Sequence, residues 1–310
     1  MNPVRIGMLG CGFIGEFHAL GLRYVREAVL TVGCDASEER RNAYAERFGC
    51  RPVGTLEELC AADDVDLVVV SVPNHLHHDA VIALARAGKA VACTKPLGRN
   101  ADEAADMLRA VTEAGVFNAY LENVIFNPDL LRMRDMVVAG AIGRLTTVRA
   151  REGHSGPHAA HFWDAELAGG GALLDMASHG AEYARFLFGK DLAVTDVFAW
   201  GATLVHGERT TGEDNAMMIM RFADGRAAEV FGRMVMALGG SAVGDGLASA
   251  PPDDEPTLGV TVLAFGGLSK SDVRLVEFSS YGAMWKGMLN NEVDAAIASN
   301  ISGQVKEVET

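Results

Sequence analysis

Residues 4–15 have the sequence VRIGMLGCGFIG, from which the fold class of the N-terminal half follows. Val4 to Leu9 is a short apolar run that predicts a β-strand, and Phe13 to Val25 then places apolar residues at helical spacing. Between them, Gly10 to Gly15 match the pattern G-x-G-x-x-G. A second predicted strand, Leu30 to Asp35, ends in a carboxylate 20 positions after Gly15. This combination is typical of a dinucleotide-binding β-α-β unit.

Each glycine of this turn has a physical role in such a unit. Gly10 permits the tight turn, Gly12 lets the backbone approach a pyrophosphate, and Gly15 lets the helix pack close to the strand. The helix N-terminus, at Phe13 and Ile14, supplies a positive dipole for the phosphates. A glycine turn that binds no nucleotide is the alternative interpretation.

Asp35 predicts the choice of nucleotide. Its carboxylate can accept hydrogen bonds from both ribose hydroxyls and would repel a 2′-phosphate, so NAD is favoured over NADP. Arg40 and Arg41 lie close in sequence, and an arginine there could instead contact a phosphate. The alternative for Asp35 is a role in capping a helix.

Strands and helices alternate through the first 120 residues. Asp66 to Val72 is apolar at all but its ends, as in a strand buried on both faces. Predicted helices that end at Phe48, Ala87 and Ala114 separate the strands. This alternation predicts a parallel sheet wrapped by crossover helices, an N-terminal Rossmann domain over residues 1–120.

The pattern changes in the second half, where the predicted strands are longer. Asp224-Gly225 is a strong hairpin signal, and one helix, Ala172 to Phe188, interrupts the strands. A loop is predicted at Gly239 to Gly259 and a helix at Tyr281 to Ser299. The fold class is therefore α/β, with a C-terminal α+β domain at residues 121–310 built on an open, mostly antiparallel sheet.

Composition excludes several classes of protein. A net charge of −14 makes binding to nucleic acid or to an anionic membrane unfavourable. Apolar runs such as Val65 to Val72 are far shorter than the roughly 20 residues of a membrane span. The N-terminus has no signal-peptide pattern, and the five cysteines lack metal spacing. We therefore expect a cytoplasmic protein with reduced thiols.

Two motifs follow neighbouring predicted strands at the edge where such sheets bind ligands. Val72-Pro73-Asn74 follows one strand, and Thr94-Lys95-Pro96-Leu97 follows the next. A lysine held there is less solvated than on a surface, and its cation can stabilise an alkoxide. The alternative is a surface lysine before a proline turn.

The third motif lies at residues 169–179, with the sequence GGGALLDMASH. Asp175 and His179 are four apart on a predicted helix, so they share a face. A histidine beside a carboxylate is a candidate general base near neutral pH. The alternative is an acidic first turn of the helix and a histidine of the core.

Histidines are also dense at residues 154–163. His154, His158 and His161 could ligate a metal, but Pro157 opposes a regular helix and no carboxylate or cysteine has a matching position. We predict instead that these side chains and Trp163 line a ligand pocket. A purely structural role is the third interpretation.

Together the motifs resemble the Gfo/Idh/MocA oxidoreductases, a family that includes inositol dehydrogenase and glucose–fructose oxidoreductase. The resemblance extends from about residue 4 to residue 238 and rests on the turn at residues 10–15, Pro73-Asn74-x-Leu76-His77, Lys95-Pro96-Leu97, Phe126-Asn127-Pro128 and residues 169–179. It implies a nicotinamide cofactor, no metal, a sugar, cyclitol or similar polyhydroxyl substrate, and a homo-oligomer.

The resemblance also implies site residues. Lys95, Asp175 and His179 match the catalytic positions of the family. The expected cofactor-binding residues are Gly10, Gly12, Phe13, Ile14, Gly15, Asp35, Arg40, Pro73, Asn74, His77 and Lys95. The expected substrate-binding residues are Asn123, His154, His158 and Trp163. His179 would take the hydroxyl proton, Lys95 would stabilise the developing alkoxide, and Asp175 would orient the substrate or the histidine.

Two features depart from the family pattern. Thr94 stands where a glutamate usually precedes the lysine, and after about Gly240 the usual strand with its Gly-Thr-x-Gly turn is absent. These departures keep open a nucleotide-binding protein without turnover, and a glycosidase that uses NAD transiently is a further alternative.

Overall fold

The structure, a computed structural model, describes residues 3–154, 156–157 and 159–234, and three further strands at 257–264, 274–279 and 305–307. The chain forms two compact units. Unit 1 contains the chain up to Leu121 together with Glu166–Gly169, and unit 2 contains Glu122–Ala165 and the chain from Gly170 onwards. The return of residues 166–169 to unit 1 has no counterpart in the sequence pattern.

Unit 1 is a six-stranded parallel sheet with helices between successive strands. Its strand order is β3-β2-β1-β4-β5-β6. The strands are β1 (Val4–Leu9), β2 (Ala28–Cys34), β3 (Arg51–Val53), β4 (Leu67–Val70), β5 (Ala90–Thr94) and β6 (Asn118–Leu121). The helices are α1 (Phe13–Leu22), α2 (Glu38–Phe48), α3 (Leu56–Cys60), α4 (His77–Arg86) and α5 (Ala101–Ala114), with a 3₁₀ turn at Asn74–Leu76. The predicted Rossmann sheet is confirmed.

Local chemistry places the helix ends of unit 1 close to where the sequence predicts them. The hydroxyl of Ser37 accepts a hydrogen bond from the Arg40 N–H at the start of α2, and Gly49 ends that helix in the left-handed region at φ 71°. Gly115 ends α5 in the same way, at φ 64°. The short edge strand β3 was not predicted, because three residues that include Pro52 carry no strand signal.

Unit 2 is built on a seven-stranded sheet in the order β13-β12-β11-β7-β10-β9-β8. Among the described strands only β7 and β10 pair in parallel, so the predicted mostly antiparallel sheet is confirmed. The strands are β7 (Leu145–His154), β8 (Val194–Ala202), β9 (Asn215–Phe222), β10 (Ala227–Met234), β11 (Thr257–Ala264), β12 (Arg274–Ser279) and β13 (Val305–Glu307). The helices are α6 (Pro128–Val138), α7 (Ala165–Ala168) and α8 (Ser178–Phe188), with 3₁₀ turns at Val124–Phe126 and Ala160–Trp163.

The described residues beyond 240 form three strands of this sheet. The first of them, β11, begins at Thr257, so the loop predicted at Gly239–Gly259 is wrong at its last three residues. The rest of that loop and the helix predicted at Tyr281–Ser299 lie outside the described residues.

The long helix predicted at Ala172–Phe188 has two parts. Leu173–Ala177 form a π-helical turn, and α8 follows directly from Ser178. The carboxylate of Glu213 accepts hydrogen bonds from the N–H groups of Gly171 and Leu173, and its carbonyl accepts one from Ala172. These bonds fix the entry into a widened turn, a feature common at functional sites.

One face of the unit 2 sheet carries α8, and the opposite face is partly apolar and exposed. Phe198 pairs with Ile219 in the register of β8 and β9, and Trp200 pairs with Met217. Phe198 is 66% exposed and Ile219 is 45% exposed. Among the described helices of the chain, none is long and apolar enough to cross a membrane.

Candidate functional site

The glycine turn of unit 1 lies between β1 and α1. Gly10 has φ 98°, and a Cβ there would lie 2.5 Å from the Ser71 carbonyl oxygen, so the backbone conformation and the close approach both require glycine. A Cβ at Gly15 would collide with the carbonyl of Gly10. The Ser71 hydroxyl donates to the same carbonyl at 2.9 Å and braces the turn from β4.

The outer side of the turn is open. A Cβ at Gly12 would meet no atom within 4 Å among the described residues, and no described side chain caps α1. The N–H groups of the first turn of α1, which begins with Phe13 and Ile14, therefore lie beside the uncrowded backbone of Gly12. This arrangement fits the pyrophosphate of a dinucleotide.

Asp35 lies directly after β2 and is bound to the turn. Its Oδ2 accepts a hydrogen bond from the Cys11 N–H at 3.0 Å, and its Oδ1 accepts one from the Ser37 N–H at 2.9 Å. Arg40 Nη1 lies 3.4 Å from Oδ2. The carboxylate, only 10% exposed, thus joins the glycine turn to the start of α2. Ribose recognition by Asp35 and a cofactor contact by Arg40 stay predictions.

His77 connects the two loops that follow β4 and β5. Its Nδ1 lies 2.9 Å from the Pro96 carbonyl oxygen, and its Nε2 lies 2.8 Å from the Val72 carbonyl oxygen. Burial lowers the pKa of His77, although the two carbonyls partly oppose this shift. Burial thus disfavours the imidazolium. Because a neutral ring has a single N–H, it donates to one of the two carbonyls and lies against the other, directly after Lys95.

Thr94 and Lys95 end β5. The Thr94 hydroxyl donates to the Val70 carbonyl at 2.9 Å, so the residue that replaces the usual glutamate ties β5 to β4. Lys95 is partly buried, and the Lys95–Pro96 peptide bond is cis. The structure thus places Lys95 at the carboxyl edge of the parallel sheet, as the sequence predicts.

Asn74 makes a structural contact within unit 1. It is 3% exposed, and its amide donates to the Ala168 carbonyl at 2.8 Å. Arg99 donates to the Glu166 carbonyl at 3.1 Å, so two side chains hold the 166–169 segment. The cofactor contacts expected of Asn74 and of Pro73, which precedes the 3₁₀ turn, stay predictions.

His179 lies in the interior of unit 2 between two glutamates. Its Nδ1 is 2.6 Å from Glu122 Oε1, and its Nε2 is 3.9 Å from Glu152 Oε1. All three side chains are buried, with exposed fractions of 9% or less. Glu122 also accepts a hydrogen bond from the Val124 N–H at 3.2 Å, which fixes the position of its carboxylate.

Asp175 lies beside a different histidine. Its Oδ2 is 3.6 Å from His154 Nε2, and Nδ1 of that ring accepts a hydrogen bond from the Gly156 N–H at 3.1 Å. His154 is the last residue of β7, and Asp175 is in the π-helical turn. Unit 2 therefore contains two carboxylate–histidine pairs, Glu122–His179 and Asp175–His154.

Sequence reasoning missed both glutamates. Glu152 follows Val148 and Ala150 in the alternation of β7, at a position that points into the core, and a carboxylate in a buried register is an available signal. Glu122 comes directly after β6, at the same edge position that singled out Lys95.

Trp163 is almost completely buried, with 8% of its surface exposed. The Arg209 guanidinium lies 4.0 Å from the ring centroid, and the His206 ring meets the indole edge-on at 5.1 Å. A Cβ at Gly156 would approach the indole to 2.7 Å. The indole ring therefore contacts the segment that contains Arg209. That Trp163 packs on a sugar stays a prediction.

The remaining predicted residues have separate positions. Asn123 precedes the 3₁₀ turn at Val124–Phe126, and its carbonyl accepts a hydrogen bond from the Phe126 N–H. His158 lies outside the described residues. Within the described part of the chain, no three histidine, cysteine or acidic side chains are arranged to hold a metal ion.

Comparison with known proteins accounts for both units. Residues 4–120 match the family model "Oxidoreductase family, NAD-binding Rossmann fold", and residues 130–243 match "GFO/IDH/MocA C-terminal domain". The chain belongs to the Gfo/Idh/MocA oxidoreductase family. The resemblance drawn from the motifs is confirmed, and residues 4–120 are an NAD-binding Rossmann domain.

Curated relatives of this oxidoreductase act on cyclitols and sugars by name. Inositol 2-dehydrogenase of Rhizobium meliloti is 31% identical over 231 residues, which cover 73% of this chain and 67% of that protein. 1,5-Anhydro-D-fructose reductase of Ensifer adhaerens is 33% identical, with 73% of this chain and 68% of that protein covered.

Solved structures share the fold of this oxidoreductase. Levoglucosan dehydrogenase in complex with NADH has a TM-score of 0.72 at 25% identity. This match covers 90% of the present chain and 73% of the levoglucosan dehydrogenase chain. GenD2 from gentamicin A biosynthesis, in complex with NAD, has a TM-score of 0.76 at 23% identity. This match covers 100% of the present chain and 97% of the GenD2 chain. The second likeness concerns the fold alone.

Proposed function

We propose that this oxidoreductase is an NAD-dependent dehydrogenase that interconverts a hydroxyl and a carbonyl on a sugar, cyclitol or related polyhydroxyl compound. The observation that carries the proposal is His179, a buried histidine held by a carboxylate at 2.6 Å in the second unit of a family member. A histidine in this setting can exchange a proton with a substrate hydroxyl. The sugar and cyclitol names of the relatives support the substrate class.

When bound, NAD supplies a hydride acceptor. The residues proposed to hold it are the glycine turn at Gly10–Gly15, which leaves room for the pyrophosphate, and Asp35, whose carboxylate disfavours a 2′-phosphate. We therefore propose a preference for NAD over NADP.

Proton transfer is the part of the reaction assigned to the chain itself. His179 accepts the proton of the hydroxyl that is oxidised, and the Lys95 ammonium stabilises the negative charge that develops on the oxygen. Asp175, which is buried, and His154, which is partly buried, lie 3.6 Å apart and are proposed to bind neighbouring hydroxyl groups of the substrate.

A substrate panel tests this function. Polyols, cyclitols and sugars are incubated with NAD or NADP, and the absorbance of the reduced nicotinamide is followed. Sustained NADH formation with one or more of these compounds supports the proposal. Binding of NAD with no turnover across the panel would favour a nucleotide-binding protein without catalysis. Cleavage of a glycoside without net NADH would favour an NAD-dependent glycosidase.

We also propose that the chain is a cytoplasmic homo-oligomer. The exposed face of β8 and β9 carries Phe198, Trp200 and Ile219, and burial of such an apolar patch against a second copy is favourable. All five cysteines are free thiols, as in a reducing compartment.

A further inference from the structure

We infer that Glu122 is the positioning residue that makes His179 a base, by fixing the ring proton on Nδ1 so that Nε2 can accept a proton. This inference rests on the proposed function of His179. It assigns to Glu122 the task that the four-residue spacing within the 169–179 motif suggests for Asp175.

The contact distances decide between the carboxylates around His179. Glu122 Oε1 lies 2.6 Å from Nδ1, a distance typical of a charge-assisted hydrogen bond. Glu152 Oε1 lies 3.9 Å from Nε2, which is beyond hydrogen-bond distance. The Nδ1 contact is therefore the stronger of the two and determines the position of the proton.

Glu122 is itself held in place. The Val124 N–H donates to Oε1 at 3.2 Å, the same oxygen that faces His179, and the side chain is 1% exposed. A carboxylate fixed by a backbone donor and shielded from water has little freedom to leave the imidazole. The pair is therefore organised before a substrate binds.

The tautomer follows from the chemistry of the partners. A neutral imidazole has one N–H, and an ionised carboxylate can only accept a hydrogen bond. The proton of His179 therefore lies on Nδ1 and points at Glu122, which leaves a lone pair on Nε2. When Nε2 accepts the substrate proton, the Nδ1 proton stays on the ring, and Glu122 stays ionised beside the imidazolium.

The neighbouring histidine has the opposite arrangement. The Gly156 N–H donates to Nδ1 of His154, so this nitrogen must carry the lone pair. The proton of His154 is then on Nε2, which faces Asp175 at 3.6 Å. Of these two histidines, only His179 has an Nε2 that can accept a proton.

Nitrogen-15 NMR of histidine-labelled enzyme tests the tautomers directly, with no substrate required. We expect the neutral His179 ring to be protonated on Nδ1 and the neutral His154 ring on Nε2. Replacement of each histidine by glutamine assigns the signals. A wild-type His179 signal that shows the proton on Nε2 would overturn the inference.

Kinetics test the consequence. In Glu122→Gln the amide oxygen can still accept from both N–H groups but the charge is lost, and we expect kcat to fall about tenfold with KM for NAD nearly unchanged. The acidic limb of the pH profile moves to lower pH, because the imidazolium loses its counter-charge. In Glu122→Leu both bonds are lost, and kcat falls by at least about a hundredfold. Partial rescue by glutamine relative to leucine is the signature of positioning.

Glu182→Gln is the matched control. Glu182 is on α8 with His179, is 13% exposed, and pairs with Lys190 at 2.6 Å. We expect its loss to leave the pH profile and the His179 tautomer unchanged. A Glu122→Gln enzyme with wild-type kcat and pH profile would refute the positioning role. If the wild type shows the expected tautomers but oxidises no polyol, Glu122 still fixes the Nδ1 proton of His179, and the proposed function fails.

Discussion

Replacement of Asp35 by alanine should weaken both nucleotide binding and the fold of unit 1. The sequence alone predicts only that the affinities for NAD and NADP become more similar, because the variant loses both the acceptor for the ribose hydroxyls and the repulsion of a 2′-phosphate. The structure adds that Oδ2 accepts from the Cys11 N–H and Oδ1 from the Ser37 N–H. The variant therefore also removes a connection between the glycine turn and α2.

The magnitude follows from these two bonds. A hydrogen bond to a charged group contributes about 1.5–3 kcal/mol. The carboxylate is 10% exposed, so water can replace it only in part, and we expect a loss of about 2–4 kcal/mol in the free energy of unfolding. A looser turn should also raise the Kd for NAD by at least about tenfold, which corresponds to about 1.4 kcal/mol. The Asp35→Asn variant can keep one of the two bonds and should lie between alanine and the wild type.

Urea unfolding and titration calorimetry with NAD and NADP measure the two effects separately. We expect Asp35→Ala to unfold at lower urea and to approach equal affinity for the two nucleotides, mainly because NAD binds more weakly. An unchanged urea midpoint would refute the role of Asp35 in holding the turn. An unchanged preference for NAD would refute its role in selecting the nucleotide, and Arg40 would then be the next residue to test.

Three further predictions concern stability and association. Burial lowers the pKa of His18 to about 4 from its ordinary value of 6.5, so the folded protein favours the neutral ring and stability should fall as pH drops from about 6.5 towards 4, by at most about 3 kcal/mol. Urea unfolding across that pH range should show that the free energy of unfolding depends less steeply on pH in His18→Gln than in the wild type. The same pH dependence in both proteins would contradict the assigned role of His18. His77→Leu leaves a carbonyl without its imidazole donor and should lower the free energy of unfolding by about 1–3 kcal/mol, and a wild-type urea midpoint would exclude the bracing role. Ile219→Asp places a charge on the exposed sheet face and should convert an oligomer to a monomer in light scattering, whereas a monomeric wild type at micromolar concentration would rule out the proposed association.

The sequence predicts unit 1 well because its signals are local. The glycine pattern, the apolar strands and the helix end at Phe48 each depend on residues within a short stretch, and the structure places these elements within a few residues of their predicted bounds. The sheet of unit 2 is also predicted in outline, since alternation and the Asp224-Gly225 turn are local features. Gly225 has φ 86°, as the hairpin requires.

The contacts of the candidate site depend on the fold and are harder to predict. Glu122 and His179 are 57 residues apart, so nothing local in the sequence joins them. Spacing alone suggests Asp175 as a neighbour of His179, and only the fold shows that Asp175, in a π-helical turn, also lies 3.6 Å from His154. The strands after residue 240 were not predicted, because the turn that usually marks this part of the family sheet is missing from the sequence.

The central claim is that His179 and Lys95 perform the proton and charge chemistry of an NAD-dependent dehydrogenase. The most direct measurement is kcat for His179→Ala and Lys95→Ala with the best substrate of the panel, beside the Kd for NAD by calorimetry and a circular dichroism spectrum for the fold. General acid–base help contributes about 100- to 10,000-fold in rate. We therefore predict that each variant loses at least about a hundredfold in kcat and keeps its affinity for NAD within a few fold. A folded His179→Ala enzyme that binds NAD and turns over at close to the wild-type rate would contradict the account.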